Sequence, residues 1–259
     1  MPIETFPAFG SDGLSYGHVA ETDSGLRCAC PVCSGAAVVV DNAGDGGFQP
    51  QAYANADERT GTAANGKNHL TIDQAANQIV RGDPGWSSAL GVGFTVSYAF
   101  RANAPATMPD DSSGFGRFNA NQIVQAELAL AGWSDAANIR FVRAGFGTSG
   151  EEAYSDDATM LFGNYSDGVT GASAFAYYPG STSAGSRAGD VWIKSIIASN
   201  ATPTVGNYGG MVLVHEIGHA IGLAHPAAYD AGDGGAITYD ANAVYFEDSR
   251  QYTVMSYFN

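Results

Sequence analysis

One stretch of the sequence, residues 211–226, constrains this chain more than any other. It reads MVLVHEIGHAIGLAHP and contains the spacing H-E-x-x-H-x-x-G-x-x-H. His215 and His219 are four residues apart, so a helix places both imidazoles on one face, about a turn apart. Gly222 suits the end of that helix, because glycine reaches positive φ without a Cβ penalty. After this turn His225 can supply a third nitrogen to the same metal ion.

The three histidines predict a zinc ion with one open position. Three imidazole ligands that leave the fourth position to water are typical of a catalytic zinc site. Glu216 directly follows the first histidine, so we expect its carboxylate beside that water as the general base. The helix is apolar nearly all round, which indicates burial, and buried histidines with a glutamate need a partner such as a metal ion. The alternative, a charged face on a partly exposed helix, fits this pattern poorly.

The motif resembles that of the metzincin metallopeptidases, and further segments resemble the serralysin branch of that group. Met255, within TVMSY at 253–257, resembles the methionine turn that lies beneath the zinc in metzincins. The Ser-Tyr after this methionine and the proline after His225 are similar to the serralysins. Four more segments are similar and keep the order of that family: 118–120, 133–139, 162–165 and 246–252. The resemblance covers residues 68–259.

The resemblance implies a secreted zinc-dependent endopeptidase that hydrolyses peptide bonds in proteins through a zinc-activated water and a glutamate base. It also implies a metzincin, zincin-like catalytic domain whose zinc cleft lies between two subdomains. In this pattern Met255 is a structural platform and not a ligand. Tyr257 stabilises the oxyanion and is an additional zinc ligand in the resting enzyme. The alternative role for Tyr257 is that of a core aromatic residue that hydrogen-bonds a histidine.

Substrate binding is inferred from the same resemblance. In metzincins the edge strand of the sheet pairs with the extended backbone of the substrate, which gives affinity through main-chain hydrogen bonds. The segment GASAFAY at 171–177 resembles the serralysin edge strand. We therefore expect Ala174, Phe175 and Ala176 to bind substrate. A plain edge strand that binds nothing is the alternative.

The hydrophobic pattern predicts an α+β domain after about residue 68. Helical spacing predicts two helices before the motif helix, at 72–80 and 120–133. Thr71 or Asp73 caps the first, and Asn119 caps the second. Apolar runs predict five strands: 92–100, 139–142, 159–162, 173–177 and 191–196. Together they predict a twisted sheet of about five strands packed on helices.

The N-terminal part differs in character and holds all three cysteines: Cys28, Cys30 and Cys33. We interpret residues 1–65 as a loop-rich inhibitory prosegment and residues 66–259 as the protease domain. A thiolate is a good zinc ligand, and prosegment cysteines block the zinc in several metzincins. Cys28 or Cys30 is therefore a candidate latency ligand. A short disulfide with one free thiol, or three free thiols, are the alternatives.

Charge and hydropathy exclude several classes of partner. The net charge is −15, which argues against nucleic acid. No stretch reaches the ~18–20 apolar residues that span a bilayer.

The start, MPIETFPAFGSDG, has neither the basic region nor the apolar region of a signal peptide. Serralysins are bacterial proteins exported without one, by a C-terminal signal behind calcium-binding repeats, and no such repeats occur in this sequence. We expect a monomer that is secreted and acts on proteins or peptides.

Calcium and two rival functions complete the expectations. Three aspartates, Asp230, Asp233 and Asp240, form either a calcium site or a solvated loop. A non-catalytic, zinc-stabilised surface or binding protein would keep the ligands, but Glu216 and Tyr257 argue against it. A redox or metal-carrier function of the cysteines predicts that removing the residues before about Lys67 abolishes function. The peptidase interpretation, including its latent zymogen form, predicts that the same removal preserves or raises activity.

Overall fold

A mixed sheet of six strands, in the order β1-β5-β6-β4-β2-β3, organises the fold. The computed structural model describes residues 3–7, 61–82, 85–169, 171–231 and 236–259, all of them within one compact unit formed by residues 1–8 and 57–259. The strands are β1 (Ile3–Pro7), β2 (Phe94–Phe100), β3 (Ile139–Arg143), β4 (Met160–Tyr165), β5 (Ala172–Tyr177) and β6 (Val191–Lys194). The five predicted strands are confirmed as β2 to β6, and the N-terminus adds a sixth that the sequence did not predict.

The strand directions divide the sheet into two parts. Strand β2 runs parallel to β3 and to β4, and β4 runs parallel to β6. Strand β5 is antiparallel to β6, and β1 is antiparallel to β5 along its outer side. In this structure β5 is therefore not the outermost strand, because β1 covers the edge that the sequence analysis assigned to substrate.

Five helices and one short 3₁₀ turn (Glu151–Ala153) complete the described part of the chain. The helices are α1 (Ile72–Ile79), α2 (Ala120–Ala136), α3 (Ala198–Ala201), α4 (Tyr208–Ala220) and α5 (Tyr239–Asn242). Thr71 and Gln74 form a capping box on α1, and Asn119 and Gln122 form another on α2. Thr71, rather than Asp73, is thus the first cap. None of the described helices is long and apolar enough to cross a membrane.

The core lies between one face of the sheet and helices α2 and α4. Side chains alternate across a strand, so Ala174 and Ala176 of β5 face the main core, which also contains Leu213 and Ile217 of α4. Phe175, between them, faces the other side and packs in a smaller cluster with Tyr165, Tyr177 and Trp192. This arrangement places the motif helix directly beneath β5.

Candidate metal centre

Helix α4 and the turn after it carry all three histidines of the motif. The side chain of Asn207 accepts a hydrogen bond from the Gly210 amide and caps the helix at its start. Gly222, with φ of 115°, follows the last turn, and the Leu223 amide donates to the Gly218 carbonyl at 2.9 Å. A side chain at position 222 would be strained in that conformation. The predicted helix end is therefore confirmed, and it brings His225 back to the helix.

A backbone carbonyl holds each imidazole through its Nδ1–H group. His215 donates to Val254 at 2.8 Å, His219 to Leu223 at 2.6 Å, and His225 to Tyr229 at 2.8 Å. A carbonyl oxygen can only accept, so these contacts assign the proton to Nδ1 and leave each Nε2 unprotonated. All three ligands of a metal ion are thereby oriented in the neutral tautomer that coordination needs.

The three Nε2 atoms converge at a spacing that fits zinc. They are 3.0, 3.2 and 3.2 Å apart, against about 3.3 Å for two ligands at ~2.0–2.1 Å on a tetrahedral ion. The three residues are fully buried and are the one group of metal-ligating side chains of its kind among the described residues. Three lone pairs facing one another in a buried core repel unless a cation lies between them. The donor set thus fits Zn²⁺.

Electrostatics keep the first ligand uncharged. Burial lowers the pKa of His215 well below its usual value, and the neighbouring imidazoles of His219 and His225 lower it further. A neutral imidazole is the form that binds a metal ion.

Glu216 directly follows His215 in α4 and is fully buried. Burial, and secondarily the Glu216 charge, raise the pKa of Tyr165 in β4 and of Tyr208 at the start of the same helix, although the Ser173 hydrogen bond and the Arg250 charge lower that of Tyr208. The Tyr208 hydroxyl in turn lies 2.9 Å from Ser173 Oγ of β5. Glu216 is therefore buried directly after the first histidine, on a helix that is tied to β5.

Met255 and Tyr257 lie in the turn that closes the centre from below. Met255 is fully buried against α4: a Cβ added at Gly218 would lie 2.5 Å from its Sδ. The Tyr257 ring lies 4.3 Å from the His225 ring and 5.9 Å from the His215 ring, centroid to centroid. Both side chains therefore lie at the centre, and the roles assigned to them from the sequence stay predictions.

Two aromatic residues around the histidines were missed from the sequence. Tyr229 stacks on His225 with centroids 5.1 Å apart, and Tyr178 meets His219 edge-on at 5.9 Å. Tyr178 directly follows β5, so the end of that strand reaches the metal centre. The sequence offered one signal for both: Tyr178 directly follows a predicted strand, and Tyr229 lies four residues after His225.

Other predicted site residues lie elsewhere or outside the described part. Ala174, Phe175 and Ala176 are in β5, paired with Phe6, Thr5 and Glu4 of β1. Cys28, Cys30 and Cys33 lie outside the described residues, as does Asp233 of the candidate calcium group.

The α+β fold and the three-histidine centre with its methionine turn define a metzincin zinc metallopeptidase domain. The Peptidase_M10 family profile, Matrixin, matches residues 108–232. Metallopeptidase AprA of Pseudomonas marginalis is 44% identical over 200 residues, which cover 75% of this chain and 39% of that protein. Serralysin G of Dickeya chrysanthemi is 40% identical over 201 residues, 74% of this chain and 40% of the relative. The chain belongs to the serralysin-type metzincins, and it spans about two fifths of the length of these relatives.

Proposed function

We propose that this chain is the catalytic part of a secreted bacterial endopeptidase that hydrolyses peptide bonds in proteins. The convergence of three buried Nε2 atoms, with the buried Glu216 directly after the first of these histidines, carries the proposal. The serralysins and the metallopeptidase to which it is similar support the choice of reaction. We expect a monomer, and the likeness to serralysins favours a secreted protein. The Asp230, Asp233 and Asp240 calcium site stays a prediction.

The chain's own residues supply the proton transfers of the mechanism. Zinc held by His215, His219 and His225 would polarise the attacking water and the scissile carbonyl. Glu216 accepts one proton from the water as its oxygen adds to the carbonyl carbon, and then gives that proton to the leaving amine as the C–N bond breaks. The phenol of Tyr257, beside His225, donates a hydrogen bond to the negative oxygen of the tetrahedral intermediate.

Casein cleavage by the purified chain tests this proposal. We expect cleavage that a chelator abolishes and that added zinc restores. Zinc-loaded protein that cleaves nothing, both as the whole chain and after removal of the residues before Lys67, would instead favour a zinc-stabilised binding protein.

We also propose that the N-terminal segment, residues 1–65, keeps the enzyme latent. The support is that Ile3–Pro7 runs antiparallel along the outer side of β5, with Ile3 opposite Tyr177 and Phe6 opposite Ala174. An extended substrate backbone would add to the sheet at this same edge. Because both cannot pair with β5 at once, β1 competes with the substrate.

Strand-breaking substitutions in β1 test the latency proposal within the whole chain. The double variant Glu4→Pro/Thr5→Pro removes two amide donors and prevents regular pairing, whereas Glu4→Ala/Thr5→Ala keeps the amides. We expect the proline variant to lower KM for a peptide substrate several-fold, and the alanine variant to resemble the wild type. Equal KM values for all three proteins would contradict the competition.

The prosegment cysteines provide a separate route to latency. Cys28 or Cys30 is the proposed blocking ligand, and replacing all three cysteines with serine would then raise the activity of the uncut chain. Unchanged latency in that variant would exclude a thiolate and leave β1 as the inhibitory element.

A further inference from the structure

Asp248 is a fully buried carboxylate that lies near the metal centre without being part of the predicted site. Its Oδ1 accepts two hydrogen bonds, from the Tyr229 hydroxyl at 2.8 Å and from Ser256 Oγ at 2.7 Å. Its other oxygen, Oδ2, has no hydrogen-bond partner among the described residues. Burying a carboxylate with one unsatisfied oxygen costs stability. Stability alone therefore does not explain an acid at this position.

The two hydroxyl donors come from the two segments that orient His225 and His215. Tyr229 accepts the Nδ1–H bond of His225 on its carbonyl and stacks its ring on the same imidazole. Ser256 lies in the turn between Met255 and Tyr257, and two residues before it the Val254 carbonyl accepts the Nδ1–H bond of His215. Ser256 Oγ also accepts the Phe258 amide at 3.1 Å. One oxygen of Asp248 thus joins the segment that holds the third histidine to the turn that holds the first.

The hydrogen bonds of Asp248 restrain Tyr229 and the turn of Ser256, which the Nδ1–H bonds of the histidines alone do not fix. The Tyr229 carbonyl can orient His225 only while the backbone around residue 229 stays in place, and the phenol at the far end of that side chain is fixed by Asp248. The Tyr257 ring contacts both aromatic partners, with its centroid 4.3 Å from His225 and 5.0 Å from Tyr229. A shift of Tyr229 or of the turn would therefore displace an imidazole and the Tyr257 phenol together.

We propose that Asp248 is a positioning residue of the zinc centre, which fixes the third histidine and the turn of Tyr257 relative to each other through Tyr229 and Ser256. Its effect on catalysis rests on the proposed peptidase function, but its effect on metal binding does not. Groups that orient metal ligands typically change metal affinity by about 10–100-fold when removed.

The neighbouring acid provides a matched control. Glu247 is also buried, but its oxygens accept bonds from His69 Nδ1 at 2.7 Å and from the Leu70 amide at 3.0 Å, away from the histidine ligands. Replacing Glu247 removes a buried carboxylate of the same segment without touching Tyr229 or Ser256. A general loss of packing near residue 248 would affect both variants alike.

The experiment measures zinc affinity by competition with a chromogenic chelator, and coordination by the visible absorption of the cobalt-substituted protein. We expect Asp248→Ala to weaken zinc binding about tenfold and to change the cobalt spectrum. Glu247→Ala should leave both unchanged. Asp248→Asn should restore near-wild-type values, because the amide oxygen can accept the same two hydrogen bonds. Peptide turnover should follow the same order.

Tyr229→Phe keeps the carbonyl and the stacked ring but loses the hydroxyl, so it tests the proposal if Asp248→Ala does not fold. We expect it to weaken zinc binding several-fold. Wild-type zinc affinity and cobalt spectrum in Asp248→Ala or Tyr229→Phe, or equal losses in Glu247→Ala, would overturn the positioning role. If the wild type bound zinc but cleaved no peptide, the peptidase proposal would fail, while the metal-binding result would still decide the role of Asp248.

Discussion

At the scale of the single residue, the proposed task of Glu216 is to move a proton and not to ligate the metal ion. The three histidines supply all the nitrogen donors, so Glu216→Gln should keep a stoichiometric zinc ion. The same substitution removes the base while keeping the shape of a fully buried side chain. We expect kcat to fall by about 10²–10⁴-fold, as for the loss of a general base. Metal analysis and peptide kinetics on one preparation check this, and a zinc-loaded mutant with normal turnover would contradict the base assignment.

Tyr257 is expected to act later in the reaction. Its ring already packs between His225 and Tyr229, so Tyr257→Phe should preserve the core while removing the phenol. Loss of one oxyanion donor typically lowers kcat by about 10²–10³-fold. We expect that fall with a much smaller change in zinc affinity. If zinc content dropped in parallel with turnover, the phenol would instead be important chiefly as a ligand.

At the scale of the element, helix α4 must come close to the methionine turn. A Cβ at Gly218 would lie 2.5 Å from Met255 Sδ and 3.2 Å from Trp133 Cζ2. Gly218→Ala should therefore lower both the free energy of unfolding, by about 1–3 kcal/mol, and the zinc affinity, because Met255 has to move. Gly132, exposed in α2 with nothing near its Cβ position, is the matched control. Gly132→Ala should stabilise by about 0.5–1 kcal/mol, as measured by urea denaturation. A stabilised Gly218→Ala would show that Met255 yields without cost.

Local elements were predictable because their signals are local. The spacing of His215 and His219 needs only one helical turn, and the caps Thr71 and Asn119 bond residues three positions away. The partners of the imidazoles could not be predicted in the same way. Val254, Leu223 and Tyr229 orient the ligands through backbone carbonyls, and every residue type has a carbonyl.

At the scale of the whole molecule, long-range pairing was the least predictable feature. Strand β1 meets β5 across about 170 intervening residues, and nothing in IETFP specifies its partner, since any extended backbone can add to an open sheet edge. The likeness to serralysins indicated an edge strand at 171–177, but it did not indicate that this chain would cover the edge with its own N-terminus. Because the edge of β5 can pair with any extended backbone, β1 and a substrate can compete for it, as proposed above.

A buried Arg101–Asp190 pair ties the central strands together, and we expect its titration to make the stability of the folded protein depend on pH. Arg101, directly after β2, donates to Asp190, directly before β6, at 2.5 Å, and the Leu161 amide of β4 donates to the same carboxylate at 3.0 Å. Burial raises the pKa of Asp190 to about 7, although Arg101 and the amide act in the opposite direction. An unfolded aspartate has a pKa of about 3.9. Between these values the folded protein keeps a proton that the unfolded chain releases. The contribution of Asp190 is therefore fully present below about pH 4 and is lost as pH rises through 7.

Comparison with Asp190→Asn isolates this contribution, because both proteins carry the same histidines and lose zinc alike. We expect the free energy of unfolding of the wild type to fall relative to that of Asp190→Asn by up to about 3 kcal/mol between pH 5 and pH 8. Urea denaturation of the two metal-free proteins at several pH values in that range measures the difference. A difference that stays constant would mean that Arg101 outweighs burial and keeps the carboxylate ionised throughout. The pair would then act as a fixed clamp on the three strands, whose removal costs the same at every pH.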